Sequence, residues 1–311
     1  MKTLHALSDI TPDLRGASIA IGNFDGVHKG HQAVLEQARA AAPDAPLAVL
    51  TFEPHPREIF QPAAPPFRLM NAEARGHRLA KLGVDILYEL PFDAALRDLS
   101  DTAFCAEVLA KGLGVTHVTV GSDFRYGKAR AGDVDKLTAC GAANGFGVTV
   151  AELIALPGVG QVSSTAIRAA LSEGRPREAA AMLGHWHRIE GPVIHGAKRG
   201  RELGYPTANM GLPRLHRPAF GVYAVLAEVL DGPHTGSYSG VASLGVRPMF
   251  EGDAPNLETF LFDFDGDLYD AHLSIALVEF LRPEAKFDGL EGLIAQIKRD
   301  EASAREVLAA L

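Results

Sequence analysis

The sequence predicts a doubly wound α/β domain on a parallel sheet, followed by a small antiparallel β-barrel domain with a C-terminal helix. Three observations carry this. Apolar strand-like runs alternate with helical segments through the first half, which is the pattern of a parallel sheet covered by helices. Beyond about Gly184 the pattern changes to short strands divided by Gly and Pro. The length, 311 residues, exceeds what one hydrophobic core usually organises. The expected boundary near Gly184 gives domains 1–184 and 185–311.

In the first half, strands are expected at Ser18 to Gly22, Leu47 to Phe52, Val84 to Leu90, Val115 to Gly121 and Val148 to Leu153. Each is a short, nearly continuous apolar run, as strands buried on both faces require. Helices are expected at Ala33 to Ala42, Ala74 to Leu82, Thr102 to Gly112 and Asp133 to Asn144, with two short ones at Thr165 to Ser172 and Arg177 to Met182. In the second half, strands are expected at Gly221 to Glu228, Gly240 to Leu244, Leu257 to Phe264 and His272 to Phe280. The last segment, Leu290 to Leu311, places Leu293, Ile294, Ile297 and Val307 at helical spacing and should pack on the barrel.

Composition narrows the function classes. A hydrophobic fraction of 47% with 22% charged residues is that of a globular chain, and no apolar run approaches the roughly 20 residues that span a bilayer. Met1 to Ile10 lacks an apolar leader core, so a cytoplasmic location is expected. The formal charge of −8, with both signs interspersed, argues against a nucleic-acid partner, which calls for a basic face. The two cysteines, Cys105 and Cys140, are expected to be reduced core thiols and are too few for a structural zinc site.

Chemistry concentrates in a few segments. Gly22-Asn23-Phe24-Asp25-Gly26-Val27-His28-Lys29-Gly30-His31 follows an apolar strand and opens a helix. A helix start offers unpaired amides and partial positive charge to a phosphate, and glycines allow close backbone approach. His28 and His31, three apart, can donate to phosphate oxygens. Two surface histidines beside a turn, or a metal pair, are the alternatives. Thr51-Phe52-Glu53-Pro54-His55-Pro56 and Gly121-Ser122-Asp123-Phe124-Arg125 also follow strands, where loops reach the ligand crevice of such sheets. In Ser163-Ser164-Thr165-Ala166-Ile167-Arg168, a serine cap frees helix amides and Arg168 can point at an anion.

In the second half, His195-Gly196-Ala197-Lys198-Arg199-Gly200-Arg201-Glu202-Leu203-Gly204-Tyr205-Pro206-Thr207-Ala208-Asn209 is a glycine-spaced cationic stretch. It is neither a Walker A sequence nor a dinucleotide fingerprint, and it could be only a turn with a solvated basic face. The oxygens of Thr207 and Asn209 suit a hard cation such as Mg²⁺. A reaction that uses a hydroxyl nucleophile also needs a base. Glu258, inside an alternating strand pattern, is the candidate, with Asp263 as a rival.

The string G-x-F-D-G-x-H-x-G-H resembles the nucleotidyltransferases that make FAD. The segment G-x-x-x-G-x-x-x-G-x-P-T-A-N resembles the riboflavin kinase signature. Together they identify the chain as similar to the bacterial bifunctional riboflavin kinase/FAD synthetase family, over nearly its whole length. The resemblance implies phosphorylation of riboflavin to FMN and adenylylation of FMN to FAD, with ATP as co-substrate and Mg²⁺ as cofactor. It implies that His28 and His31 hold the triphosphate, with Gly22, Phe24, Asp25, Gly30, Asp123, Ser164, Thr165 and Arg168 around the same nucleotide. Phe52 and His55 would lie on the flavin-phosphate side. In the kinase half it implies Gly196, Gly200, Gly204, Pro206, Thr207 and Asn209 at ATP, Thr207 and Asn209 at the metal, and Glu258 as base. The chain departs from the family where Met249 follows Arg247-Pro248, where Phe260 replaces a frequent His, and at Tyr205 in place of a frequent Phe. A single-activity enzyme and a non-catalytic flavin sensor are alternatives disfavoured by the joint presence of both motif sets, and an RNA-binding barrel is disfavoured by the lack of aromatic platforms with basic interleaving.

Overall fold

The computed structural model describes residues 1–152, 155–156, 160–195, 204–249 and 252–311. The chain divides into two compact units, 1–64 with 75–162, and 65–74 with 163–311. Helices α7 (Ser164–Ser172) and α8 (Pro176–Leu183) therefore belong with the second unit, although they lie before Gly184.

The first unit is built on a six-stranded parallel sheet. Its strands are β1 (Lys2–Leu4), β2 (Ser18–Ile21), β3 (Leu47–Glu53), β4 (Ile86–Pro91), β5 (His117–Gly121) and β6 (Gly147–Ala151), in the order β1-β4-β3-β2-β5-β6. Residues 18 to 21 and 47 to 51 are all buried, as expected of strands covered on both faces. The connecting helices are α1 (Lys29–Ala41), α2 (Pro56–Phe60), α3 (Ala72–Lys81), α4 (Ala94–Arg97), α5 (Asp101–Ala103) and α6 (Val134–Asn144). The chain moves outward from β2 to β4, then returns to the other side of β2 as β5. The carboxyl ends of β2 and β5 thus flank the place where strand order reverses, which is where open sheets of this kind bind ligands.

Two local expectations change. The helix expected over Thr102 to Gly112 is present, but Phe104–Leu113 winds as a π-helix, ended by Gly114 at φ 58°. The strand β1 was not anticipated, because three residues carry no periodicity. The cysteines are a correction: they are not free thiols, since Cys105 and Cys140 are joined with Cα atoms 6.5 Å apart. They sit on the π-helical stretch and on α6, which pack against each other. That packing brings two residues distant in sequence within disulfide reach, and counting cysteines cannot foresee it.

The second unit is an antiparallel sheet of six strands, β9 (His187–Pro192), β10 (Ala208–Gly211), β11 (Gly221–Val229), β12 (Gly236–Met249), β13 (Gly252–Leu261) and β14 (His272–Pro283). A separate short hairpin, β7 (Ala155–Leu156) with β8 (Gly160–Gln161), precedes it in sequence. The strand order is β10-β13-β12-β11-β14-β9. Its edges approach at an isolated bridge between Ile194 and Asn209, where the Ile194 N–H donates to the Asn209 carbonyl at 2.8 Å. The sheet is a nearly closed barrel.

Ile189, Met210, Tyr223, Val225, Leu244, Leu257 and Ile275 fill its interior. On the outside, α9 (Leu290–Ala309) sets Ala304, Val307 and Leu308 against Val222, Ala224, Val241 and Phe262. Arg282 grips Asp300 with Nε at 2.9 Å and Nη2 at 2.7 Å, which fixes the register of this helix on β14.

His187, at the start of β9, is 4% exposed, and burial beside His216 and His185 pushes its imidazole down to about 3. An unfolded chain protonates this group near 6.5, so between those values only the unfolded state gains the proton. Stability should therefore be complete above about pH 6.5 and fall as pH drops below it, by a few kcal/mol at most. Burial lowers His216 in the same direction. Urea midpoints measured at pH 7.5 and 5 should differ less for His187→Gln than for the parent chain.

Candidate functional sites

In the first unit the turn after β2 is tightly held. The Gly22 N–H donates to the Leu50 carbonyl at 3.2 Å. Phe24 and Val27 adopt left-handed backbone at φ 51° and 43°, on either side of Gly26 at φ 90°. Non-glycine residues in that region cost about 1 kcal/mol each and persist only where the surroundings impose them. Here Phe24 is anchored by burial, with its ring 4.9 Å from that of His31.

His28 is the N-cap of α1. Its Nδ1 accepts the His31 backbone N–H at 3.3 Å, which leaves the ring proton on Nε2. The two imidazoles stack at 3.7 Å. A Cβ at Gly30 would stand 3.1 Å from the His28 ring, so glycine is what lets that ring fold back over the helix start. His31 Nδ1 is shut off from solvent and has no hydrogen-bond partner among the described residues. Burial first, and then His28, hold the His31 imidazole well below its usual value. The result is two stacked rings at a helix N-terminus, the buried one neutral, with Asp25 buried beside them in the same turn.

The carboxyl end of β3 supplies the second element. Glu53 and Pro54 are joined by a cis peptide, and His55 then caps α2, its Nδ1 accepting the Arg57 N–H at 3.0 Å while its own N–H donates to Glu58 Oε2 at 3.1 Å. His55 is therefore committed as a cap through one nitrogen. Phe52 belongs to a row of rings: Phe60 meets Phe92 at 5.8 Å, Phe92 meets Phe52 at 5.8 Å, and Phe52 meets Phe104 at 6.5 Å. Phe104 continues to Tyr126 at 5.6 Å, and Tyr126 stacks on Phe124. Phe60, 63% exposed, is the open end of the row. The row leaves no local signal in the sequence, because its rings come from five separate segments. Asp123 is exposed in the turn after β5, with Oδ1 3.2 Å from where a Cβ on Gly121 would lie.

Ser164, Thr165 and Arg168 lie on α7 in the second unit. Ser163 caps this helix, accepting the Ala166 N–H at 3.2 Å. Arg168 Nε donates to the Phe67 carbonyl at 2.6 Å, and the guanidinium lies 5.4 Å over the Phe67 ring.

In the barrel, Gly196 and Gly200 lie outside the described residues. Gly204 sits at φ 79°, where nothing but its backbone conformation calls for glycine. Pro206 and Thr207 lead into β10, and Asn209 is directly opposite Glu258 of β13. Alternation along β13 sets Asn256 and Glu258 on the face opposite Leu257 and Leu261.

Asn209 is almost fully buried: its Nδ2 donates to the Thr207 carbonyl at 3.1 Å, and its Oδ1 accepts from Asn256 Nδ2 at 3.1 Å. Asn256 was missed in the sequence, although its spacing of two from Glu258 places it on the same face. A cavity of about 340 Å³ is lined by Val193, Thr207, Thr259, Phe264, Asp267 and Tyr269. The Thr259 hydroxyl is buried there with no partner among the described residues. Tyr269 packs against His195, the rings tilted with centroids 4.2 Å apart. Asp263 is turned away to Arg305, with contacts of 2.9 and 3.1 Å, so its carboxylate is already paired.

Among the described residues, no helix is long and apolar enough to cross a membrane. Comparison with known proteins bears on both sites. The FAD synthetase family model matches residues 10–166, and the riboflavin kinase model matches residues 183–308. The bifunctional riboflavin kinase/FMN adenylyltransferase of Pseudomonas fluorescens is 43% identical over 312 residues, covering 99% of this chain and 98% of that protein. Its counterpart in Escherichia coli K12 is 40% identical over 308 residues, covering 98% and 96%. The crystal structure of a macrolide-efflux protein from Streptococcus pneumoniae superposes with a TM-score of 0.83 at 32% identity, covering 97% of this chain and 98% of that one. With both family models matched in succession and relatives aligned from end to end, the chain belongs to the bifunctional riboflavin kinase/FMN adenylyltransferase family and joins a FAD synthetase domain to a riboflavin kinase domain.

Proposed function

We propose that the two reactions run at separate sites: adenylyl transfer to FMN at the turn after β2, and phosphorylation of riboflavin beside β10 and β13. On this reading the catalytic domains are 1–184 and 185–311. The observation that carries it is the pair of stacked imidazoles at the start of α1, the buried His31 among them held neutral. They stand where ring and backbone donors can meet an anion at a helix start.

In adenylyl transfer, a phosphate oxygen of FMN attacks the α-phosphorus of ATP. The bond from that phosphorus to the bridging oxygen breaks, and pyrophosphate leaves. The nucleophile is already ionised at neutral pH, so no strong base is called for. Rate comes from placing the reactants and from donors that meet the charge growing on the leaving group. Nε2–H of His28 and the amide of Gly30 are such donors. The exposed end of the aromatic row, Phe60 and Phe92, offers the flavin ring a flat apolar face. Asp123 is placed to accept from the ribose.

In the kinase reaction, the 5′-hydroxyl of riboflavin attacks the γ-phosphorus of ATP, its proton passes to Glu258, and ADP leaves. The hydroxyl of Thr207 and the amide oxygen of Asn209 fit Mg²⁺, which takes one or two protein oxygens plus nucleotide phosphates. When bound, the cation would offset charge on the phosphates. Asn256 holds the Asn209 amide so that its oxygen keeps one orientation. Consumption of ATP in both steps supports a cytoplasmic location.

Three changes test the division. Asn209→Ala should lower FMN formation from riboflavin by about a hundredfold or more while leaving FMN-to-FAD conversion intact. His28→Ala with His31→Ala should abolish FAD formation and spare FMN formation. Gly30→Ala, which presses on the His28 ring, should slow FAD formation by about tenfold. Separation of flavin products over time, from riboflavin or FMN supplied with ATP and Mg²⁺, reads all three. Loss of both activities in any folded variant would contradict the two-site reading.

A further inference from the structure

Arg75, on α3, is a charged residue that neither proposed reaction uses, and it is 1% exposed. Its guanidinium Nη2 lies 2.9 Å from Glu53 Oε2 and also contacts Glu89. Glu53 ends β3, and Glu89 is on the neighbouring β4, itself 8% exposed with His5 Nδ1 3.5 Å away. The other terminal nitrogen, Nη1, reaches the carbonyl of Asn23 at 3.5 Å. One guanidinium therefore ties together the carboxyl-end segments of three adjacent strands: β4, β3 and the turn after β2. The same Asn23 carbonyl accepts a second hydrogen bond, from the buried Thr51 hydroxyl on β3 at 3.3 Å.

A buried ion cluster is weak evidence for stability, because well-packed apolar residues often serve as well or better. What a planar fork with several donors adds is geometry: it holds three acceptors in fixed relation. Asn23 immediately precedes Phe24, whose left-handed backbone needs its surroundings to impose it. A carbonyl pinned from two sides at that point sets the direction in which the chain enters the turn, and hence where Asp25, His28 and His31 come to lie.

We propose that Arg75 is a positioning residue for adenylyl transfer, acting with Thr51 through the Asn23 carbonyl on the histidine turn. This rests on the reading of that turn as the adenylyl-transfer site. The test compares the full chain with Thr51→Val, Arg75→Lys and the double variant, measuring kcat and KM for FAD formation from FMN and the rate of FMN formation from riboflavin. Each single change should lower kcat for FAD formation by about tenfold to a hundredfold, with KM for FMN moving less. Because both act on one carbonyl, the double variant should fall short of the product of the two effects. FMN formation should stay within about twofold of the parent, serving as a control for folding.

An unchanged kcat in Thr51→Val, fully multiplicative effects, or a parallel loss of FMN formation would overturn the proposal. Should Arg75→Lys fail to fold, the near-isosteric Thr51→Val still decides. His28→Ala with His31→Ala separates the two levels: FAD formation surviving that change would sink the site reading itself. Its loss there, with the Thr51 and Arg75 variants unaffected, would sink only the positioning role.

Discussion

The first unit depends on an imidazole used as a helix cap. By accepting the His31 N–H, His28 turns its ring across the start of α1 and onto the second histidine. The other features of the turn follow from that placement. Gly30 has to be small so that the ring can lie there. Phe24 has to be buried against His31 and takes left-handed backbone to get there. The neutrality of His31 follows from the same crowding, since burial beside another ring opposes a positive charge. The site thus gathers hydrogen-bond donors around a neutral, buried imidazole, which suits a reaction whose nucleophile and leaving group are both anionic.

The barrel solves a related problem by different means. Its candidate residues stand on strands, where the two-residue period and cross-strand register fix which side chains meet. Asn209 faces Glu258 because β10 and β13 are in that register, and a slip by one residue would move both to the other face. Asn256, two residues before Glu258, then lies close enough to fix the orientation of the Asn209 amide. Regular structure here does what strained backbone does in the first unit.

Much of this could be read from the sequence, and the reasons differ by element. Strands such as Leu47–Glu53 announce themselves because a strand covered on both faces is apolar throughout. The strand-to-helix turn of the first unit and the approach to β10 were readable because their chemistry is contiguous: each packs its glycines and polar groups into one short run. Features assembled from distant segments were not readable. The ring row from Phe60 to Phe124, the Cys105–Cys140 link and the Arg75 cluster each exist only once the chain has folded. Asp263 illustrates the converse. It sits two residues beyond a strand end with a plausible spacing, yet a cation from α9, forty-two residues away, has claimed it.

The bridge between Ile194 and Asn209 makes the latter residue both a rivet and a tool. Its backbone carbonyl holds together the two free margins of the sheet, while its side chain belongs to the candidate nucleotide site. A ligand that tightens on the amide of Asn209 would at the same time steady the seam. Cargo and container are then energetically coupled, and the amide proton of Ile194 would exchange with solvent more slowly when nucleotide is in place.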